Sequence, residues 1–378
     1  MDAFEQLKAE AEHLGFSLSG WVSAARPAHF DLFTSWLAGG FHAGMSYLAR
    51  PDTLAKREHP LLLMEGARSI LSLAYPYQMQ ACDSTVNKPE YGSIAAYACL
   101  PDYHGRLAAR VEELAQRVNS QLEKPFHYRV FTDSAPILER DLAWQAGLGW
   151  VGRNGCLIHA QHGSAFFLAE LVTDLDLPPA ASEPVTDHCG NCRRCLEACP
   201  TRCIREDRTI DARHCISYLT IEHRGHIPVD LLSAINTHVF GCDDCQTCCP
   251  WVIKTNRSKS IPEEEMALAG YIDVCSELGL TETEFKSHFG GYPVARARWE
   301  GYIRNLAIVA GNQRDANAID ALSGLLSSSQ SAVIRLASAW ALGQIGTASV
   351  QPVLESHLSE ENDPDVQVVV RAALEKLN

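Results

Sequence analysis

Cys189, Cys192, Cys195 and Cys199, with Pro200 directly behind them, are the strongest constraint on what this chain can fold into. The spacing C-x-x-C-x-x-C-x-x-x-C-P is one with which thiolates wrap four-iron clusters, three cysteines holding one cluster and the fourth reaching a second. A shortened copy follows at Cys242, Cys245 and Cys249, closed by Pro250. When the two Cys-Pro ends are aligned, Val239 stands where the copy's first cysteine belongs, and Cys215 is the obvious substitute. The crossover then assigns Cys189, Cys192, Cys195 and Cys249 to one [4Fe–4S] cluster, and Cys199, Cys215, Cys242 and Cys245 to the other. Cys203 and Cys248 fall outside the register and read as spare thiols, with Cys248 a competitor for the place of Cys249. Paired zinc sites or a disulfide framework are the competing readings, but zinc rarely needs so many cysteines with two Cys-Pro ends.

The chain has 378 residues, enough for two or three domains, and its 46 % apolar and 21 % charged composition is ordinary for a globular protein. Its 14 cysteines, if scattered, would indicate secretion. Most sit in cluster register instead, which points to a reducing cytosol. The start Met1-Asp2-Ala3-Phe4-Glu5 has neither the basic end nor the apolar core of a signal peptide, and no uncharged apolar run is long enough to span a bilayer. A cytoplasmic location is expected. The net charge of −14 argues against a general nucleic-acid binder. A polyanion would have to meet a local basic patch: Lys254, Arg257 and Lys259, or Arg296, Arg298 and Arg304. On charge alone a solvated surface is the plainer account of each.

Phe4, Leu7, Ala11 and Leu14 recur at helical spacing up to Gly15, and residues 16–22 then alternate like a strand. Pro27 opens a second helix with Phe30, Phe33 and Leu37, stopped by Gly39-Gly40. Residues 69–75 read as a buried strand, 105–122 as a long amphipathic helix, 126–131 as a strand and 136–146 as a helix. This alternation predicts an α/β domain over residues 1–180, within a multidomain chain of α+β / α/β class. Asp133 lies in its last strand-to-helix turn, where such domains place ligands; a helix cap or turn residue is the plain account of it. Gly147, Gly149, Gly152 and Gly155 follow and predict close approach of the backbone to a large ligand. They match neither a dinucleotide fingerprint nor a phosphate loop. Residues 174–184, rich in proline and acids, read as the linker into a ferredoxin-like cluster domain at 181–255. Beyond it, small-residue helices beginning near Leu306, Ala337 and Val370 predict helix-pair, HEAT-like repeats across 256–378, which present a surface to a macromolecule or cap the clusters.

Several stretches together resemble one family: Asp133-Ser-Ala-Pro-Ile-Leu-Glu-Arg140, Ala146-Gly-Leu-Gly-Trp-Val-Gly-Arg-Asn154, Gly163-Ser164, the first cysteine run, Cys215-Ile-Ser-Tyr-Leu-Thr220 and Gly241-Cys-Asp-Asp-Cys-Gln246. Lys56-Arg57 and Asp102-Tyr103-His104 belong to the same pattern. In this order they are similar to the epoxyqueuosine reductases, and the likeness covers nearly the whole chain. The resemblance implies a cytosolic iron–sulfur enzyme that uses cobalamin and two [4Fe–4S] clusters to reduce epoxyqueuosine to queuosine at the tRNA wobble position. It implies Asp133 as proton donor, and cobalamin contacts from Arg57, Asp133, Leu157, His159 and Leu168 with the Cys242, Asp243, Asp244 and Cys245 backbone. For His159 a contact with a corrin side chain, or packing, is expected rather than ligation of cobalt. Cys99, close to the Asp-Tyr-His stretch, reads as a buried structural thiol. Arg224 matches a position that meets tRNA, in addition to Lys254, Arg257, Arg296, Arg298 and Arg304. The expected partners are the anticodon stem-loop of tRNA and a low-potential electron donor, with the chain a monomer away from any membrane. The alternative is a corrinoid dehalogenase of small molecules; the repeats and basic clusters favour the macromolecular substrate.

Overall fold

The computed structural model describes residues 3–79, 91–177, 184–256 and 268–377; Arg257, Lys259 and part of the 174–184 linker lie outside the described residues. Two compact units form, each discontinuous in sequence: Met1–Met79, Asp102–Arg213 and Asp244–Ile261 make the first, and Gln80–Pro101, His214–Asp243 and Pro262–Asn378 the second. The cysteine-bearing segments are thus shared out between the two units rather than forming a unit of their own.

The first unit is built on four strands, β1 (Leu18–Ser23), β2 (Ser69–Pro76), β3 (Tyr128–Phe131) and β4 (Phe166–Thr173), in the order β1-β2-β4-β3. All neighbours pair antiparallel. Helix–strand alternation more often feeds a parallel sheet; here it gives the antiparallel, α+β form. The two central strands, Ser-Ile-Leu-Ser-Leu-Ala-Tyr-Pro and Phe-Phe-Leu-Ala-Glu-Leu-Val-Thr, are nearly unbroken apolar runs, as strands buried on both faces require. Because strand side chains alternate, Ile70, Ser72 and Ala74 share a face with their register partners Val172, Glu170 and Leu168. That face packs on the helix Glu139–Gln145 through Leu142, Ala143 and Ala146. The helix Tyr103–Asn119 has Asp102 as its N-cap and buries Leu107, Val111, Leu114 and Val118, the stripe its periodicity predicts. It packs on the helix Ala3–His13 and on the sheet.

A short hairpin, Trp150–Val151 with Leu157–Ile158, carries the glycine-rich stretch. Gly149 and Gly152 are closed in by the facing strand. A Cβ at Gly149 (φ +156°) would stand 2.2 Å from the Ile158 carbonyl oxygen, so the close approach expected of a ligand is made by the neighbouring strand. Trp150 is buried edge-on against His188 (4.9 Å) and Trp251 (5.2 Å), which fastens the segments bearing Cys189 and Cys249 to this hairpin.

In the second unit, Tyr91–Ile94 pairs with His238–Phe240 and Tyr271–Asp273. The helices Arg298–Gln313, Ala332–Ile345 and Pro364–Leu377 pack in a row, alternating with Ile319–Ser328 and Gln351–Glu360, as the repeat pattern predicts. Small residues set the spacing: a Cβ on Gly311 would come 2.7 Å from the Ala341 Cα.

Arg304 corrects an expectation. Expected in a basic surface patch, it is 1 % exposed, and its guanidinium donates to the carbonyls of Leu219 (2.7 Å), His223 (3.0 Å) and Gly225 (2.9 Å) and to Asn305 Oδ1 (2.8 Å). Asn305 in turn donates to the carbonyls of Thr220 and Val239. These two side chains are the buried polar staple between the first repeat helix and the segment that begins at Cys215. Arg304→Met is expected to destabilise the second unit by roughly 3 kcal/mol or more, because carbonyls are stranded without donors; urea denaturation followed by circular dichroism measures this. Among the described residues, no helix is long and apolar enough to cross a membrane.

Candidate functional site

Asp133 occupies the turn between β3 and the helix Glu139–Gln145. It is not the cap of that helix, whose N-cap position is Leu138. Its backbone adopts φ +53°, a left-handed conformation that non-glycine residues adopt at a cost. Glu139 holds this turn: its Oε1 accepts the Asp133 N–H at 2.6 Å. The Asp133 carboxylate accepts the Tyr103 hydroxyl at 2.5 Å and lies 3.4 Å from His104 Nε2. The His104 ring is oriented from the other side, where Nδ1 meets Asp102 Oδ1 at 2.6 Å. The bond to Asp133, followed by that to Asp102, holds His104 protonated above the usual histidine range. Tyr103 stacks at 4.2 Å on Phe167, so β4 props the phenol toward Asp133. The result is an exposed carboxylate with two fixed proton-bearing neighbours, which is what a residue that gives and regains a proton needs. The sequence marked Asp102-Tyr103-His104 only as a motif; the turn brings it to Asp133.

Arg57 is 7 % exposed, and its Nη1 meets no hydrogen-bond partner among the described residues. The guanidinium packs on the Phe33 ring at 5.5 Å, and burial lowers its pKa. A buried cation with an unused N–H calls for an acceptor from a ligand. Leu168 is partly buried against the sheet core, and His159 Nδ1 accepts the Gln161 N–H at 3.2 Å. Leu157 is 2 % exposed, its side chain packed in the core with Leu142 and Leu148, which leaves any ligand contact to its main chain.

The first proposed set of cysteines converges within the first unit. Burial, and then the charges of Cys189 and Cys249, push the Cys195 thiol up. Burial likewise raises Cys249, with Cys189 and Cys192 adding to it. Thiols gathered this closely are suited to a cationic iron cluster that takes up their charge. Cys248 also feels Cys195 and Cys249, and burial pushes it up to about 11. Cys203 is 5 % exposed, with its sulfur 3.5 Å from that of Cys199. The hairpin reaches the cysteine segments through hydrogen bonds: Asn154 donates to the Cys245 carbonyl (3.1 Å), Arg153 to that of Gly190 (3.0 Å), and Ser164 to Gln246 (2.9 Å). In the second unit Val239 is wholly buried, Cys215 stands at the N-cap position of the helix Ile216–Ile221, and the Cys242 sulfur lies 3.7 Å from His238 Nε2. There too Asp243 accepts the Ala96 N–H at 2.7 Å. Asp244 and Cys245 open the helix Asp244–Thr247 of the first unit. Cys99 is fully buried, as a structural thiol requires.

Of the basic residues, Arg224 donates to the carbonyls of Ala297 (2.9 Å) and Arg296 (2.8 Å). Burial and then the charge of Arg298 lower its pKa, so Arg224, Arg296 and Arg298 form one cluster. Glu222 pairs with Arg296, and Arg298 is exposed. Lys254 is exposed in the last turn of the helix Pro250–Asn256.

Three family models match: "Epoxyqueuosine reductase QueG, DUF1730" over residues 57–134, "4Fe-4S double cluster binding domain" over 188–252, and "HEAT repeats" over 300–375. The epoxyqueuosine reductase of Xanthomonas campestris pv. campestris is 38 % identical over 352 residues, covering 91 % of this chain and 97 % of that one. Among solved structures, an epoxyqueuosine reductase with a tRNA-Tyr epoxyqueuosine-modified stem loop matches at TM-score 0.89 and 27 % identity, over 100 % of both chains. The Bacillus subtilis epoxyqueuosine reductase, with its aspartate catalytic loop swung out of the active site, matches at 0.88 and 27 %, again over 100 % of both.

Proposed function

The chain belongs to the epoxyqueuosine reductase family, and from that premise we propose that it reduces epoxyqueuosine to queuosine at the wobble position of tRNA. The observation that carries this is end-to-end likeness to a reductase solved with an epoxyqueuosine-modified stem loop. It supports a tRNA substrate and lends nothing to small-molecule dehalogenation. The reaction removes the epoxide oxygen as water, consuming two electrons and two protons. Residues 1–180 hold the cobalamin, 181–255 the clusters, and 256–378 the helical surface for tRNA, in a cytosolic monomer served by a low-potential electron donor.

The ligand sets Cys189, Cys192, Cys195, Cys249 and Cys199, Cys215, Cys242, Cys245 would hold two [4Fe–4S] clusters, which would supply single electrons, and a bound cobalamin would supply the reducing chemistry beside the substrate. Cobalamin fits the residues present: the unused N–H of buried Arg57 suits an amide oxygen of the corrin periphery. Asp133, Leu168, His159 and the 242–245 backbone complete the contact set, and Leu157 contributes no more than its main chain. Asp133 gives its proton to the opening epoxide oxygen. Tyr103 fixes the carboxyl group through Oδ2, and His104, its pKa raised by the bond to Asp133, returns the proton. Conversion of epoxyqueuosine in an anticodon stem-loop, read by mass spectrometry, tests the reading.

Phosphates of the stem-loop meet Lys254 and the Arg224, Arg296 and Arg298 cluster. All three arginines are exposed, but Arg296 is paired with Glu222 and Arg224 is tied to main-chain carbonyls, so Arg298→Ala is expected to flatten the log–log salt dependence of tRNA binding by roughly 0.7–0.9. An unchanged slope in fluorescence anisotropy removes Arg298 from the interface.

A further inference from the structure

Glu170 sits in the middle of β4, between Ser72 of β2 and Phe131 of β3, and is fully buried. Among the described residues no N–H or O–H reaches either of its carboxyl oxygens. The Ser72 hydroxyl, on the same face, is buried and likewise meets no partner among the described residues. A buried carboxylate with no donor costs several kcal/mol, so Glu170 is a neutral acid, and its one O–H needs an acceptor. The Glu139 carboxyl is within hydrogen-bonding range of it. Glu139 is also the group that accepts the Asp133 N–H at 2.6 Å.

We propose that Glu170, as a neutral acid, donates its O–H to Glu139, and that Glu139, thus fixed, latches the left-handed turn which aims Asp133. The inference rests on the reading of Asp133 as proton donor. Both members are positioning residues, since neither touches substrate. Electrostatics agree with the geometry. Burial drives Glu170 well above the ordinary carboxyl range, with the charge of Glu139 next and that of Asp133 after it. Burial and then Asp133 raise Glu139 to about 7, against the opposing charge of Arg140. Both shifts favour keeping a proton on the pair. A catalytic loop that swings out, as recorded for the Bacillus subtilis reductase, needs such a catch if it is to return to one position.

The test has two arms. Infrared difference spectra of the reconstituted wild-type protein against Glu170→Gln at pH 7 are expected to show one protonated carboxyl C=O band that the variant loses. In single turnover, Glu170→Leu is expected to lose roughly 10²-fold in rate through a misplaced Asp133, with cobalamin affinity unchanged. Glu170→Gln, whose amide still donates to Glu139, is expected to restore most of that loss. No such band at pH 7, a Glu170→Leu variant as fast as wild type, or a Glu170→Gln variant as slow as Glu170→Leu overturns the proposal. If Glu170→Leu does not fold, the infrared arm and Glu170→Gln decide alone. Normal turnover by Asp133→Asn would sink the donor assignment separately, and leave the infrared result standing.

Discussion

Asp133→Asn is expected to slow single-turnover conversion of epoxyqueuosine-containing tRNA by roughly 10²–10⁴, the usual worth of a general acid. The substitution isolates the proton from everything else the residue does. Asparagine tolerates the left-handed turn at φ +53° about as well as aspartate. The backbone N–H still reaches Glu139, and the Tyr103 hydroxyl still finds an oxygen. Arg57 and the cysteines are untouched, so cobalamin affinity and both cluster spectra are expected to survive. Only the transferable proton is gone. Chemically reduced enzyme is the right reagent, because it bypasses the electron donor. If Asp133→Asn converts its substrate at the wild-type rate with both cofactors bound, Asp133 is a turn residue and nothing more.

Cys215→Ser is expected to remove one cluster outright, leaving about four iron atoms of the roughly eight that two four-iron centres contain. The copy of the cysteine run lacks its first member, and the residue in that place, Val239, is wholly buried in a strand. Cys215, partly exposed at the start of the helix Ile216–Ile221, is the obvious substitute. Cys203→Ser is expected to keep both clusters, since the Cys203 thiol lies buried against Cys199 and outside the register. Iron determination and low-temperature electron paramagnetic resonance after anaerobic reconstitution measure both variants. A Cys203→Ser protein that loses a cluster, beside a Cys215→Ser protein that keeps two, would reverse the assignment.

The cysteine register, the amphipathic helix after Asp102 and the helical repeats were legible because each is a one-dimensional pattern with a direct physical cause. Strand β4 was not. Phe166–Thr173 has no alternation to mark a strand, and Glu170 interrupts what would otherwise look like core. That interruption was itself a signal: a lone acid in a fully apolar run is costly unless it keeps its proton or finds a partner. Arg304 was misjudged for a related reason. Charge alone assigns an arginine to the surface, whereas its neighbours Tyr302, Ile303 and Leu306 lie in a helix face with no exposed side. The partnership of Tyr103 and His104 with Asp133 depends on a turn closing over a distant helix start, and no local spacing encodes it.

The central claim is that this chain removes the epoxide oxygen of a modified nucleoside within tRNA. The most direct measurement takes the full chain, reconstituted with iron, sulfide and cobalamin and reduced under anaerobic conditions. It is mixed with an anticodon stem-loop carrying epoxyqueuosine, and the nucleosides are separated and weighed by mass spectrometry. The account predicts loss of one oxygen atom and appearance of queuosine, dependent on added cobalamin. Stem-loop that is bound by the fully loaded, reduced protein yet recovered with its epoxide intact would contradict it.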